Sequence, residues 1–234
     1  MTENSFVKEN LQAVQERMEN ACIAAGRPVD AVQLLAVTKT VEPAYINEAI
    51  ACGVTQIGEN RVQEYLEKRD ALHLSGVKTH LIGHLQTNKV KSIVGAVDMI
   101  QSVDSLHLAQ AIDKASTACG VRTDVLVEVN IGREPQKSGV LPEELPALLE
   151  DLASLSGISV CGMMTVPPIL EKEYEKRKIF SEMYQLFIDN SAKKIDNIDM
   201  HILSMGMSGD YYEAILEGAT IVRIGTAIFG HRHY

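Results

Sequence analysis

Short apolar runs alternate along this chain with longer stretches whose apolar residues recur every three or four positions. The runs are QLLAVTK (33–39), TQIGEN (55–60), THLIGHL (79–85), MIQSVD (99–104), DVLVEVN (124–130), SVCGMMTV (159–166), DMHILSMG (199–206) and TIVRIGTAIFG (220–230). Their length and their closing small or polar residues predict eight strands, the last running into a turn and helix. The stretch at 6–25 sets Leu11, Val14, Met18, Ala21 and Cys22 on one helical face, with Gly26 as the stop and Pro28 beyond.

The intervening stretches predict further helices. EPAYINEAIACG carries Pro43 in its first turn and stops at Gly53. NRVQEYLEKRDAL offers Asn60 and Gln63 as a capping box. TNKVKSIVGAV is short, and DSLHLAQAIDKASTACG is capped by Asp104 or Ser105. PEELPALLEDLASL begins at Pro142. EKEYEKRKIFSEMYQLFIDNSAKK lines up Tyr174, Ile179, Met183, Leu186 and Phe187, and GDYYEAILEG runs from Asp210 to Gly218. Strands alternating with helices imply a parallel sheet, and eight units imply an α/β TIM barrel, here a single domain over residues 1–234. The leading helix either plugs the barrel bottom or packs outside it. An open doubly wound sheet is the alternative, but no GxGxxG follows the first strand.

Composition narrows the partners. The chain of 234 residues is 46% hydrophobic, enough for one large core, and its net charge of -9 lacks the basic excess of a nucleic-acid binder. With no tryptophan and 5% aromatics, platforms for stacking bases are not expected. Cys22, Cys52, Cys119 and Cys161 contain no CxxC and are expected to be reduced core residues. MTENSFVKEN lacks the apolar core of a signal peptide, and no run is long enough to span a bilayer. A cytoplasmic protein without membrane or nucleic-acid partners is expected.

Lys39 closes the first strand, where a TIM barrel presents its active site. The other strand ends supply Glu59, Asn60, His84, Ser102, Asp104, Asn130, Thr165, Ser204 to Ser208 and Arg223 to Thr226. An amine in a dehydrated cavity beside a cation such as Arg223 is expected to have a depressed pKa, which suits Schiff-base chemistry. The bland alternative is an ion pair of Lys39 with Glu59 or Asp104. SMGMSGDYYEAILEG and VRIGTAIFG place Ser204, Gly206, Ser208, Gly209, Gly225 and Thr226 after the seventh and eighth strands, where this fold recurrently binds phosphate. An amine and a phosphate cradle together suit a phosphorylated aldehyde. Pyridoxal 5'-phosphate (PLP) is one, and a sugar-phosphate aldehyde of a Schiff-base aldolase is another.

LLAVTK, IGENRVQE, HLIGHLQTNK, QSVDSL, LSMGMSGD and VRIGTAIFG, taken together, resemble the pyridoxal phosphate homeostasis proteins, a family with the barrel of the alanine racemase domain, PLP fold type III. The resemblance covers the chain from Phe6 onward. It implies PLP as a covalent aldimine on Lys39 and a monomer that buffers PLP or delivers it to apo-enzymes, without catalytic turnover. It places Asn60 along the ring, Arg223 at the pyridine nitrogen, and Ser208, Gly225 and Thr226 on the phosphate. Ser204 and Met207 belong to the same loop region, and His84 stands at a position of IGHLQ where the family varies.

Arginine at a pyridine nitrogen donates a hydrogen bond and keeps that nitrogen unprotonated, a weaker electron sink than an Asp partner would give. That restraint suits a carrier. A low-activity racemase is the alternative, and a module that signals PLP occupancy is a third. The racemase family's second acid–base tyrosine is associated with another domain, expected to be absent here, and Tyr65, Tyr211 and Tyr212 are expected to be structural. The loop IGREPQKSGV (131–140), with Arg133, Lys137 and Gly139, is a candidate lid in which Lys137 guides PLP, although a solvated lysine is the favoured reading. His73, His80, His107, His201, His231 and His233 show no metal-ligand spacing.

Overall fold

The computed structural model of the chain describes residues 6–193 and 195–230. Helix α1 (Phe6–Ala24) precedes β1 (Gln33–Val37), α2 (Pro43–Ala51), β2 (Gln56–Glu59), α3 (Val62–Lys68), β3 (Lys78–Leu81), α4 (Val90–Ile93) and β4 (Met99–Val103). There follow α5 (Leu106–Cys119), β5 (Thr123–Glu128), α6 (Leu145–Leu152), β6 (Ile158–Met164), α7 (Glu173–Ser191), β7 (Ile198–Ser204), α8 (Tyr211–Leu216), β8 (Ile221–Ile224) and α9 (Thr226–Phe229). The eight strands pair in sequence order into a closed parallel barrel, and β1 pairs with β8 through Gln33–Ile221 to Ala36–Ile224. The expected TIM barrel is therefore formed.

Helices cover one face of each strand and the barrel interior covers the other, so the strands read as continuous apolar runs rather than alternating ones. The main core lies between sheet and helices, and includes Val7, Leu11, Ile46, Leu81, Ile100, Leu149 and Phe180. Inside the barrel, Met99, Leu126, Cys161 and Met164 fill one side, and Leu35, Val37 and Ile221 fill the other. Among the described cysteines, all unpaired, Cys22 and Cys161 are core residues as expected; Cys52 is half-buried, and Cys119 is exposed at the end of α5, contrary to the reading of it as core.

Helix α1 packs outside the barrel, against α8, α9 and α2, and does not plug its base. Asn10 Nδ2 donates to the Ile228 carbonyl at 3.0 Å near one end. At the other, Arg27 Nη1 and Nη2 donate to the carbonyls of Ile215 and Ala219, each at 2.8 Å. The helix therefore straddles the seam where the first strand meets the last.

Several boundaries differ from the sequence reading. Arg61, not Asn60, precedes α3, and no side chain caps it. Ser105 is the residue that caps α5, its Oγ accepting from Leu108 N at 3.4 Å. Helix α6 starts at Leu145 rather than Pro142, with Pro146 in its first turn. No helix among the described residues is long and apolar enough to cross a membrane.

Candidate functional site at the barrel mouth

A cavity of about 630 Å³ opens at the C-terminal ends of the strands. Lys39, Asn60, Met207, Ser208, Arg223, Gly225 and Thr226 all line it, as the sequence reading expected. Two expected residues fall elsewhere. Ser204 is fully buried and accepts a hydrogen bond from Arg223 instead of facing the cavity. His84 lies outside the cavity lining, 60% exposed, with Nδ1 at 3.6 Å from Asp104 Oδ2. Apolar walls come from Val37, Ile82, Val166 and Phe229, and Tyr45 of α2 adds a phenol that the sequence reading passed over.

Strand β1 ends at Val37, so Lys39 sits two residues past the ladder in a turn, and Thr40 takes φ 58. A turn residue needs outside support, and a buried polar cluster supplies it. Lys68 Nζ donates to the Thr38 carbonyl at 2.8 Å and lies 2.6 Å from Glu59 Oε2. Thr38 Oγ1 also donates to Glu59 Oε2, at 3.0 Å, and Asn60 N donates to Glu59 Oε1 at 3.1 Å. Glu64 accepts from Thr40 N and pairs with Lys68 at 3.0 Å. Both peptide groups flanking Lys39 are thus held from α3. Burial pushes the Glu59 carboxyl up while the Lys68 ammonium pulls it down. Glu59 is committed to Lys68, and Asp104 stands by His84, so neither forms the ion pair offered for Lys39. Among the described residues Lys39 Nζ has no hydrogen-bond or ion-pair partner.

On the opposite wall, Arg223 reaches the cavity from β8 while 3% exposed. Its Nη2 donates to the Thr165 carbonyl and its Nη1 to Ser204 Oγ, each at 2.7 Å. Burial lowers its pKa to about 10, and the carboxylates of Glu128 and Asp210 oppose the shift. Asp210 accepts from Met207 N at 2.6 Å and so ties down the loop after β7. Gly206, at φ 92, turns this loop where a Cβ would stand 2.5 Å from Ala214 Cβ, so a side chain there would lift the loop from α8. Ser208 Oγ accepts from Ala227 N at 3.3 Å and joins this loop to the turn after β8.

The remaining candidates sort outside this cavity. Lys137 is half-buried rather than freely solvated: it lies 2.5 Å from Glu134 and donates to the Pro167 carbonyl at 3.0 Å. Tyr65 is buried with its hydroxyl on the Ala96 carbonyl at 2.7 Å, and Arg17 lies over the rings of Tyr211 and Tyr212. No cluster of metal-ligating side chains occurs among the described residues, and His231 and His233 lie outside them.

The donor set fits a small phosphorylated aldehyde. It joins an unpaired primary amine to two hydroxyls and a guanidinium, around a space of small-ligand size. Asn60 Oδ1 is buried on that wall with no hydrogen-bond partner, an acceptor available to a ligand's donor.

Comparison with known proteins agrees in fold and length. The family model described as "Alanine racemase, N-terminal domain" matches residues 7–233. A protein of Aquifex aeolicus named pyridoxal phosphate homeostasis protein is 45% identical, over 97% of this chain and 98% of its own. The structure of PipY from Synechococcus elongatus with PLP bound is 34% identical, with a TM-score of 0.79, over 93% of this chain and 100% of that one. Alanine racemase of Clostridium difficile, 19% identical, superposes with a TM-score of 0.75 and shares the barrel; the match covers 97% of this chain and 61% of that one.

Proposed function

Because this chain belongs to the pyridoxal phosphate homeostasis protein family, we propose that it binds PLP at the barrel mouth, as a Schiff base on Lys39, and buffers it for apo-enzymes. The observation that carries the reading is the amine itself. Lys39 lines the cavity unpaired, while Glu59 and Asp104, the two carboxylates offered as its partners, are engaged by Lys68 and His84. When bound, PLP supplies an aldehyde that condenses with a primary amine and releases one water.

The protein's own groups account for the rest. Lys68, Glu59 and Glu64 hold the peptides on either side of Lys39, so the side chain approaches its carbonyl from a fixed base. Ser208, Thr226 and the backbone of Gly225 are assigned to the phosphate. Asn60 is assigned to the ring edge, and Arg223, which can only donate, to the pyridine nitrogen. That nitrogen then stays unprotonated, which suits holding PLP better than stabilising a carbanion. Met207, which also lines the cavity, is assigned to the cofactor with the same loop as Ser208. The protein is assigned as a cytoplasmic monomer.

A racemase needs a second acid–base group opposite the lysine. Tyr45 is the tyrosine among the lining residues; it is 40% exposed and packs against Phe6 with ring centroids 5.3 Å apart. Catalysis is therefore not part of the assignment.

The test is to load the protein with PLP, reduce it with borohydride and map the labelled peptide. The expected result is a visible absorption band and a reduced adduct on the Lys39 peptide, both absent in Lys39→Ala. A protein that takes up no PLP, or an adduct confined to another lysine, overturns the assignment. Deuterium incorporated at amino-acid Cα beyond that catalysed by free PLP would overturn the carrier reading alone.

A further inference from the structure

A row of hydrogen bonds crosses the barrel interior behind the cavity wall, from β8 to β3. Arg223 Nη1 donates to Ser204 Oγ at 2.7 Å, and Ser204 Oγ donates to Gln101 Oε1 at 2.7 Å. Gln101 Nε2 lies 2.8 Å from His80 Nδ1. The four side chains come from four strands, and none is more than 3% exposed.

The direction of the row follows from its first member. A guanidinium has only donors, so Ser204 must accept from Arg223, and its own proton goes to the Gln101 Oε1 that faces it. An amide that accepts through Oε1 presents its NH₂ to the far side. His80 Nδ1 must then accept, which fixes a neutral imidazole with its proton on Nε2. Burial holds the His80 pKa down to about 4, against Asp98, which raises it, and with Lys78, which lowers it further. Glu128 from β5 and Asp210 from the start of α8 are the charges facing Arg223.

Such a row has a cost. Burying four polar side chains is less favourable than filling the same layer with the Met, Leu and Ile used elsewhere in the barrel. It repays that cost by removing rotational freedom from a charged group that borders the cavity. We propose that Ser204, Gln101 and His80 are positioning residues: they fix the rotation of the Arg223 guanidinium and so set the hydrogen bond it offers to a ligand ring. The ligand's identity rests on the PLP assignment above; the rigidity of Arg223 does not.

The experiment therefore has two arms. The first uses nitrogen-15 NMR of the protein without PLP. The expected result is His80 as the Nε2–H tautomer from pH 8 to pH 5, together with a sharp, exchange-protected Arg223 Nε–H. Gln101→Leu removes both amide bonds at similar volume, and Ser204→Ala detaches Arg223. Each is expected to broaden the Arg223 signal. Gln101→Glu keeps an acceptor for Ser204 and sets a carboxylate against Nδ1. It should protonate His80 at neutral pH and leave the Arg223 signal sharp.

The second arm uses the PLP-loaded forms. Gln101→Leu and Ser204→Ala are expected to shift the visible band and its pH profile, and to speed PLP dissociation by roughly tenfold, as for a lost hydrogen bond to a charged group. An unchanged Arg223 signal in both variants overturns the positioning role, as does a wild-type His80 that titrates near its ordinary value of about 6.5. If the first arm behaves as stated and no form takes up PLP, the cofactor assignment falls and the positioning of Arg223 stands.

Discussion

An ammonium and a carboxylate buried together beneath Lys39 set the energetics of the mouth. Lys68 is 9% exposed and Glu59 2%; removing Lys68 leaves the Glu59 charge uncompensated, whereas removing Glu59 leaves Lys68 with Glu64 alone. Lys68→Met is expected to cost about 3–5 kcal/mol in urea unfolding, and adding Glu59→Gln to recover much of it. A recovery near zero would show that Lys68 acts through the Thr38 carbonyl and Glu64 instead. Glu128 offers a test of opposite character. Burial pushes its carboxyl up despite the hydrogen bond from Ser138, which donates to it at 2.8 Å. A raised carboxyl stabilises the fold below the unfolded pKa of about 4.3 and loses that contribution as pH rises through the folded value. Glu128→Gln should therefore raise Tm at pH 7, with the gain shrinking towards pH 4. An equal gain at both values would remove burial as the cause. Lys68 and Gln101 were illegible in the sequence for one reason: charged and amide residues are ordinarily solvent-facing, and nothing in VQEYLEK or MIQSV marks these as exceptions.

Secondary-structure elements were read well where apolar periodicity is strong and poorly where one residue changes the local geometry. SVCGMMTV reads as a regular strand, yet β6 shifts register against both neighbours around Cys161 and Gly162. Gly162 has φ 152, and a Cβ there would run into the Ile202 carbonyl. The glycine inside the strand was the available sign. The irregularity lies three residues before Thr165, whose carbonyl holds Arg223. Gly162→Ala is expected to destabilise the fold by about 1–3 kcal/mol and to weaken PLP uptake as well. A loss of stability with unchanged uptake would separate β6 from the site. At α3, the pattern of Asn60 and Gln63 suggested a cap, but Asn60 faces the cavity, so its Oδ1 is left for a ligand instead of the helix. Local spacing cannot distinguish those two uses of one amide.

For the whole molecule, eight repeats of strand and helix made the barrel legible, since parallel strands need crossovers and eight such units close on themselves. Seven of the nine expected site residues converge on one cavity because they stand at strand ends, a position the topology alone dictates. What the pattern left open was the place of α1, because an amphipathic helix buries one face equally well under a barrel or beside it. Its place beside the seam bears on the order of the chain. Helix α1 is pinned to carbonyls of the last two units at both of its ends, so the ring is already fastened where the covalent chain is not continuous. A circular permutant that joins Gly230 to Phe6 through a flexible linker and opens at the exposed turn of Gly120 and Val121 should reach the same circular dichroism spectrum and bind PLP. A permutant that stays unfolded would mean that the β4–α5–β5 crossover must form intact before the ring can close. A folded one would mean that any unit can serve as the first.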